Sequence, residues 1–223
     1  MTNHKSISIA DQIFEKLEQD ILTGKYKRGE LLTELRLTAE LGVSRTPIRE
    51  ALRRLEQEHI IEETTKGAVV IGISNEDMID MYEIRVHIEG LAAARAAKNI
   101  TDSQLDEMKE VLDLQNFYIQ SSEGDEQANA DAIKTLDSKF HKMLYLFSGS
   151  KAYYDTLLPI HRKMIKYRKA SISRHSRAEK SIKEHYSIYD ALKNHDEKKA
   201  FELTTAHIKN ARDNIIKSSL ERD

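Results

Sequence analysis

Helix breakers are scarce in this chain, and their scarcity narrows the folds open to it. Two prolines and eight glycines are spread over 223 residues. Apolar residues recur at helical spacing through most of the sequence, whereas β-branched residues cluster in one stretch, IIEETTKGAVVIG. We therefore predict a mainly α protein with one small region of strand.

Three helices and a hairpin are predicted in the first third of the chain. SIADQIFEKLEQDILTG and TELRLTAELG form two helices, and the turn LGVS leads into a third. Ser44 is the expected N-cap of the third helix, its hydroxyl accepting from first-turn amides, and Pro47 removes no intrahelical bond there. Residues 64–67 then join two short strands. This order predicts a winged helix-turn-helix with a two-stranded wing.

An all-helical bundle is predicted for the remainder of the chain. Helical periods alternate with polar breaks at SSEGDEQANAD, SGSKA and NHD. The boundary is expected at Ile73 to Asn75, which gives one domain over 1–73 and a second over 76–223.

Composition excludes several classes of protein. The absence of cysteine rules out disulfides and thiolate metal sites. The N-terminus lacks the apolar core of a signal peptide, and no apolar run approaches the roughly 20 residues that span a bilayer. We expect a cytoplasmic protein with no membrane partner.

The third helix has two distinct faces when its residues are projected at about 100° each. The core stripe is expected to comprise Ile48, Ala51, Leu52 and Leu55. A separate ridge comprises Arg45, Arg49 and Arg53, with Thr46 beside it. Arg54 projects away from the ridge and is expected to be solvated.

The arginine ridge has two interpretations. Residues 43–54 contain four arginines and one glutamate, although residues 1–72 as a whole are not basic. Arginine pairs bidentately with guanine or phosphate, and the second helix of a helix-turn-helix enters the major groove. A ladder of arginines at i, i+4 spacing is also typical of an ordinary solvated face.

The segment GVSRTPIREALRRLEQE resembles the recognition-helix signature of the GntR family of bacterial transcription regulators. MYEIRVHIEGLAAARAA resembles the start of the helical ligand-binding (FCD) domain of that family's FadR branch. The resemblance implies a homodimer that reads an inverted-repeat operator. The DNA contacts it implies are Ser44, Arg45, Thr46, Arg49 and the wing-tip residues Lys66 and Gly67.

Two positions depart from the family pattern. Leu35 replaces an arginine often found in the second helix, so Arg36 beside it becomes the candidate phosphate contact. His59 replaces the glycine that commonly ends the third helix. His59 is therefore expected to adopt the cap conformation with some strain, or the helix ends differently.

Four residues of the second domain form a candidate metal site. Asp137 and His141 are i and i+4 and project from one helix face. His185 and His207 lie ten and twelve residues on either side of His195 in the break NHD, so they are level on an antiparallel helix pair. Three imidazoles and a carboxylate suit zinc, nickel, cobalt, manganese or iron, and we place zinc first. His161 and the remaining histidines show no such pattern and are interpreted as surface or packing residues.

The family resemblance extends this site to an effector. Many FadR-branch domains carry an Asp and three His at matching positions, and a small carboxylate would take the open positions of the ion. Arg85 is a candidate clamp for the same carboxylate, with a salt bridge to Glu89 at i+4 as the alternative. Tyr82 and Arg162 are further candidates for lining the cavity.

The sequence leaves three functions to distinguish. The first is a transcription regulator controlled by an organic acid at a metal centre. The second is a helical metalloenzyme, for which Glu184 is the one obvious general base, although it should point away from a metal bound by His185. In the third, the metal is purely structural and DNA binding is constitutive.

Overall fold

The computed structural model describes residues 8–121, 126–164 and 175–220. The chain divides into two compact units between Ser74 and Asn75. None of the helices in the described ranges is long and apolar enough to cross a membrane. Of the predicted break at 121–131, residues 122–125 lie outside the described residues. Residues 126–131 belong to a helix, so the predicted break extends too far toward the C-terminus.

The N-terminal unit contains three helices and three short strands. These are α1 (Ile9–Leu22), β1 (Leu31–Leu32), α2 (Glu34–Leu41), α3 (Arg45–Gln57), β2 (Ile61–Thr64) and β3 (Gly67–Val70). A capping box begins α1: Asp11 N–H donates to the Ser8 hydroxyl, and the Asp11 carboxylate accepts from Ser8 N–H. Gly42, with a left-handed φ of 67°, ends α2. The predicted winged helix-turn-helix is confirmed.

The wing has three strands, not the predicted two. β2 and β3 pair as the expected hairpin, and β1 pairs antiparallel with the other edge of β3. A two-residue strand is too short to show alternation in the sequence, so β1 could not be predicted from pattern. A Cβ on Gly67, which has φ 136°, would lie 2.8 Å from the Leu32 carbonyl oxygen. Gly67 therefore permits the close approach of β1 and β3.

His59 ends α3 in the cap conformation, the first of the two alternatives expected from the sequence. Its φ is 55°. His59 N–H donates to Glu56 O at 2.8 Å, and Ile60 N–H donates to Leu55 O at 3.0 Å. This is the Schellman arrangement, which glycine adopts without the steric cost of a Cβ.

The C-terminal unit is a bundle of helices, as predicted. The described helices are α4 (Asn75–Asn99), α5 (Asp102–Gln120), α6 (Glu126–Phe147), α7 (Lys151–Lys163), α8 (His175–Lys193) and α9 (Glu197–Leu220). α4 packs closely against α9 at Gly90, where a Cβ would lie 2.5 Å from Thr205 Oγ1. His195, with φ 53°, closes the short turn between α8 and α9, so residues of these two helices face each other.

Candidate nucleic-acid interface and candidate metal centre

The two faces of α3 are arranged as projected. The buried residues are Ile48, Ala51, Leu52 and Leu55. The exposed residues of the ridge are Arg45, Thr46, Arg49 and Arg53. The predicted core stripe is confirmed, and α3 presents three guanidinium groups and a threonine hydroxyl to solvent.

Ser44 is the N-cap of α3 by position, but its side chain makes no capping hydrogen bond. The expectation that its hydroxyl caps the helix is wrong. An N-cap oxygen accepts from the second or third helical N–H, and the third position here is Pro47, which has none. The Ser44 hydroxyl is therefore exposed at the positive end of α3, where an anion is favoured.

Arg49 is held by a carboxylate from the preceding helix. Its Nε and Nη2 donate to the two oxygens of Glu34 at 2.9 and 3.1 Å. The hydrogen bond from Arg49 lowers the pKa of Glu34. The Arg49 side chain nevertheless remains 69% exposed, so its guanidinium is oriented without being removed from the surface.

Arg36 is more constrained than a free phosphate contact would be. It forms ion pairs with Glu30 at 2.8 Å and with Glu40 at 2.7 Å, and it lies over the Tyr26 ring. To contact a phosphate, Arg36 would have to share its N–H groups with these carboxylates.

Arg54 is not solvated as expected. It pairs with Asp11 at 2.7 Å, and its guanidinium carbon lies 4.1 Å from the Phe14 ring centroid. Since α1 and α3 pack together, a side chain that leaves the ridge meets α1. Arg54 therefore joins two helices and does not extend the exposed ridge.

The wing tip is a two-residue turn. Lys66 is exposed there, and its N–H donates to Thr64 Oγ1 at 3.2 Å. Thr64 Oγ1 in turn donates to Gly67 O at 2.7 Å. This bonding leaves the Lys66 ammonium at the end of the hairpin.

Three imidazoles from three helices meet inside the C-terminal unit. His207 Nε2 lies 3.3 Å from His185 Nε2 and 3.4 Å from His141 Nε2. All three rings are buried, and their potential ligand atoms lie within 4.8 Å of one another. Asp137, also buried, places Oδ1 3.8 Å from His185 Nε2. The structure thus brings together the four residues of the predicted metal site.

Two carboxylates fix the outer sides of the cluster. Glu89 Oε2 is 3.1 Å from His141 Nδ1, and Glu184 Oε2 is 2.6 Å from His207 Nδ1. An imidazole that donates Nδ1–H to a carboxylate carries its lone pair on Nε2. His141 and His207 therefore direct electron pairs toward the middle of the cluster.

His185 is positioned differently. Its ring stacks on Phe140 with centroids 4.2 Å apart, and its buried Nδ1 has no hydrogen-bond partner among the described residues. Burial lowers the pKa of His185 well below its ordinary value. Burial also lowers the pKa of His141. Both rings are thus kept in the neutral form that binds metal ions.

Each carboxylate is itself held by a buried arginine. Glu89 forms an ion pair with Arg85, and Glu184 accepts two bonds of 3.0 Å from Arg177. Burial alone would raise the pKa of Glu89, but the charge of Arg85 keeps it well below its usual range. Glu89 and Glu184 therefore stay ionised.

The predicted effector residues are not arranged as an open clamp. Arg85 is only 2% exposed. Besides Glu89, its Nη1 lies 3.8 Å from Met164 Sδ, and its guanidinium carbon lies 5.3 Å from the Tyr82 ring centroid. The alternative pairing of Arg85 with Glu89 is the one found. Tyr82 is buried, and Arg162 is half-buried near the end of α7.

His161 is a fourth imidazole beside the cluster that sequence reasoning assigned to surface or packing. It is 4% exposed, and its ring centroid lies 5.4 Å from that of His141. Its Nδ1 is 3.4 Å from the Tyr145 hydroxyl. Nothing in its spacing indicated this position, because α7 reaches the cluster only through the packing of the bundle.

Comparison with known proteins agrees with both units. Residues 9–71 match the model for bacterial regulatory proteins of the gntR family, and residues 80–210 match that for the FCD domain. The chain is 27% identical over 208 residues to the HTH-type transcriptional repressor RspR of Escherichia coli K12, covering 93% of this chain and 89% of that protein. It is 27% identical over 197 residues to the HTH-type transcriptional regulator YdhC of Bacillus subtilis 168, covering 88% and 86%.

A shorter alignment relates the chain to the gluconate operon transcriptional repressor of Bacillus licheniformis, with 32% identity over 53% of this chain and 49% of that protein. The solved structure of E. coli McbR/YncC shares the fold, with a TM-score of 0.78, 21% identity, and coverage of 96% of this chain and 100% of that chain.

A winged helix-turn-helix followed by a helical effector-binding domain defines a DNA-binding transcription regulator. The chain belongs to the GntR family of these regulators, and its C-terminal unit is an FCD domain.

Proposed function

We propose that this regulator belongs to the FadR branch and acts in the cytoplasm as a homodimer on an inverted-repeat operator. Its FCD domain would hold a divalent metal ion, zinc foremost, which receives the carboxylate of a small organic acid. One observation carries the proposal: three buried Nε2 atoms face one another while carboxylates hold the Nδ1 atoms of two of the rings.

The spacing of the imidazoles fits a metal ion. Zinc–nitrogen bonds of about 2.0–2.1 Å in tetrahedral geometry place neighbouring nitrogens roughly 3.3 Å apart. The two measured Nε2–Nε2 distances are 3.3 and 3.4 Å. Asp137 lies beside His185 and would be the fourth protein ligand. A larger coordination number would leave positions for an effector carboxylate.

The Arg85–Glu89 pair changes the role proposed for Arg85. An acid that binds the Nε of Arg85 would have to displace Glu89, and Glu89 also holds His141. We therefore assign Arg85 first to positioning His141 through Glu89. Binding of the effector carboxylate is assigned to the metal ion, with Tyr82 and Arg162 as candidates for contacting the rest of the acid.

Glu184 supports a regulator over a metalloenzyme. Its carboxylate accepts hydrogen bonds from Arg177 and Asn210 and lies on the Nδ1 side of His207. Burial would raise the pKa of Glu184, but hydrogen bonds from His207 and Arg177 lower it to about 2. A carboxylate so fully engaged is a poor general base, and the named relatives are transcriptional regulators.

The DNA-binding face is proposed to combine the α3 ridge with the wing. The exposed Arg45 and Thr46 would read base edges, with Arg49 oriented by Glu34. Ser44 would bind a phosphate at the open end of α3, and Lys66 would enter the adjacent groove. The names of two relatives, both repressors, favour repression.

Titration with DNA tests this function. DNA selected from a random pool by the wild-type protein serves as the probe. Its dissociation constant is measured by fluorescence anisotropy with zinc-loaded and chelator-treated protein, each with a panel of mono- and dicarboxylates. We expect at least one carboxylate to change DNA affinity with zinc-loaded protein alone. By linkage, the factor by which the carboxylate changes DNA affinity equals the factor by which DNA changes the affinity for the carboxylate.

The other outcomes separate the alternatives. A carboxylate response that persists in chelated protein would place effector sensing away from the histidine cluster. Equal DNA affinity with and without zinc, together with no response to any acid, would support a structural metal and constitutive DNA binding.

A further inference from the structure

The outer face of α4 exposes apolar side chains that the fold leaves partly uncovered. Ile84 is 41% exposed and Leu91 is 47% exposed, one heptad apart. Met81 and Ile88, half-buried, complete a 3-4-3 spacing, which places all four on one side of the helix. We call these four residues the α4 stripe. A shallow depression of about 460 Å³ adjoins Leu91, lined also by Arg95 and Lys98.

Charges flank the stripe with opposite signs at its two ends. At about 100° per residue, Asp80 on one side and Arg95 and Lys98 on the other project from the same face as Ile84 and Leu91. In the described part of the chain, none of these three side chains has an ion pair. Charges in the first and last turns of a helix can be explained by its dipole, but Asp80 and Arg95 lie further in, where that effect has faded.

An acidic end, an apolar centre and a basic end on one helix are self-complementary in an antiparallel pair. We propose that the α4 stripe is the centre of a two-fold interface with a second copy of this chain. The axis would pass between His87 and Ile88, so that Ile84 meets Leu91 of the second copy and Asp80 meets Arg95. Such an isologous contact closes at two copies. This inference rests on the proposed homodimer and assigns the surface that forms it.

Sedimentation equilibrium of the full chain tests the interface. We expect wild type to be dimeric at low micromolar concentration. Ile84→Glu and Leu91→Glu, each at an exposed position, should raise the dimer dissociation constant by roughly tenfold or more. Phe117→Glu is the matched control, because Phe117 is 63% exposed on α5 and outside the stripe; it should leave the dimer unchanged. Circular dichroism of each variant checks that the fold is retained.

Charge reversal supplies the decisive comparison. Asp80→Arg and Arg95→Asp should each weaken the dimer, and the double variant should restore it, since like charges then become opposite ones. A dimer that resists Ile84→Glu, or that Phe117→Glu dissociates instead, would overturn the α4 stripe while leaving the homodimer intact. A monomeric wild type would contradict both the proposed α4-stripe interface and the proposed homodimer. Loss of metal binding with an intact dimer would contradict the metal centre and leave both of these proposals standing.

Discussion

At the scale of single residues, Glu184 shows how the histidine cluster is positioned. It lies next to His185 in sequence, but it bonds His207 on the neighbouring helix. Arg177 and Asn210 hold the same carboxylate from other directions. The orientation of His207 therefore depends on a side chain that does not reach the centre of the cluster.

Replacing Glu184 with Gln should weaken zinc binding without removing it. The amide can still occupy the space, but it no longer presents a charged acceptor that fixes the tautomer of His207. Loss of such an outer partner lowers metal affinity by roughly 10–100-fold. Competition with a chromophoric chelator measures the effect. Glu202→Gln, at an exposed position on α9, is the control and should bind zinc like wild type.

Alanine substitutions of Arg49 and Arg54 should have different effects, the first on DNA affinity and the second on thermal stability. Arg49→Ala removes an exposed contact and should cost about 1–3 kcal/mol of affinity for the selected DNA, with little change in Tm. Arg54→Ala removes the Asp11 pair and a cation–π contact of about 0.5–1 kcal/mol, so it should lower Tm. Anisotropy and thermal denaturation of both variants give the comparison. If Arg54→Ala reduces DNA affinity more than Arg49→Ala, the assigned orientation of α3 is wrong.

The residues that sequence reasoning identified are those whose spacing within a helix sets their direction. Asp137 and His141 share a face because they are four apart, and His185 and His207 are level because a short turn joins their helices. His161 and the bond between Glu184 and His207 were not anticipated, because these contacts cross between helices. The Ser44 side chain does not cap α3, because the third helical residue is Pro47 and proline has no N–H to donate.

At the scale of elements, the helical periods were predictable from the sequence, and the short strand β1 was not. The hairpin followed from β-branched residues around a polar turn, while β1 depends on a pairing with β3 that only the folded unit provides. The left-handed residue at the end of α3 was one of two alternatives expected from the sequence, because the family resemblance places a glycine at the position of His59.

His59→Gly should stabilise the N-terminal unit by about 1 kcal/mol. A non-glycine residue in the left-handed region costs roughly 1–2 kcal/mol, of which part is offset by the greater freedom of glycine in the unfolded chain. Urea denaturation followed by circular dichroism measures the gain. His195→Gly is the control: its φ of 53° is similar, but its Nδ1 bonds Ala97 O at 2.7 Å, so little net gain is expected. An equal gain in both variants would show that the side-chain bond of His195 contributes nothing.

At the scale of the whole molecule, the switch from mixed to purely helical pattern separates two units with different tasks. The winged unit presents an exposed arginine ridge, and the helical unit encloses three buried imidazoles. Sequence periodicity suffices for this division because each unit has its own core. The ion pairs that hold Glu89 and Glu184 beside the imidazoles depend on packing within the bundle, so sequence periodicity could not predict them.

The central claim is that the histidine cluster of this regulator is a metal centre, and zinc stoichiometry tests it directly. Chelator-treated full chain is dialysed against zinc, and bound metal is measured by elemental analysis for wild type, His185→Ala, His207→Ala and His195→Asn. Asparagine tolerates the left-handed conformation at position 195, so that variant controls for general disturbance. We predict one zinc per chain in wild type and His195→Asn, and a large loss in the other two. Equal zinc content in all four proteins would contradict the account.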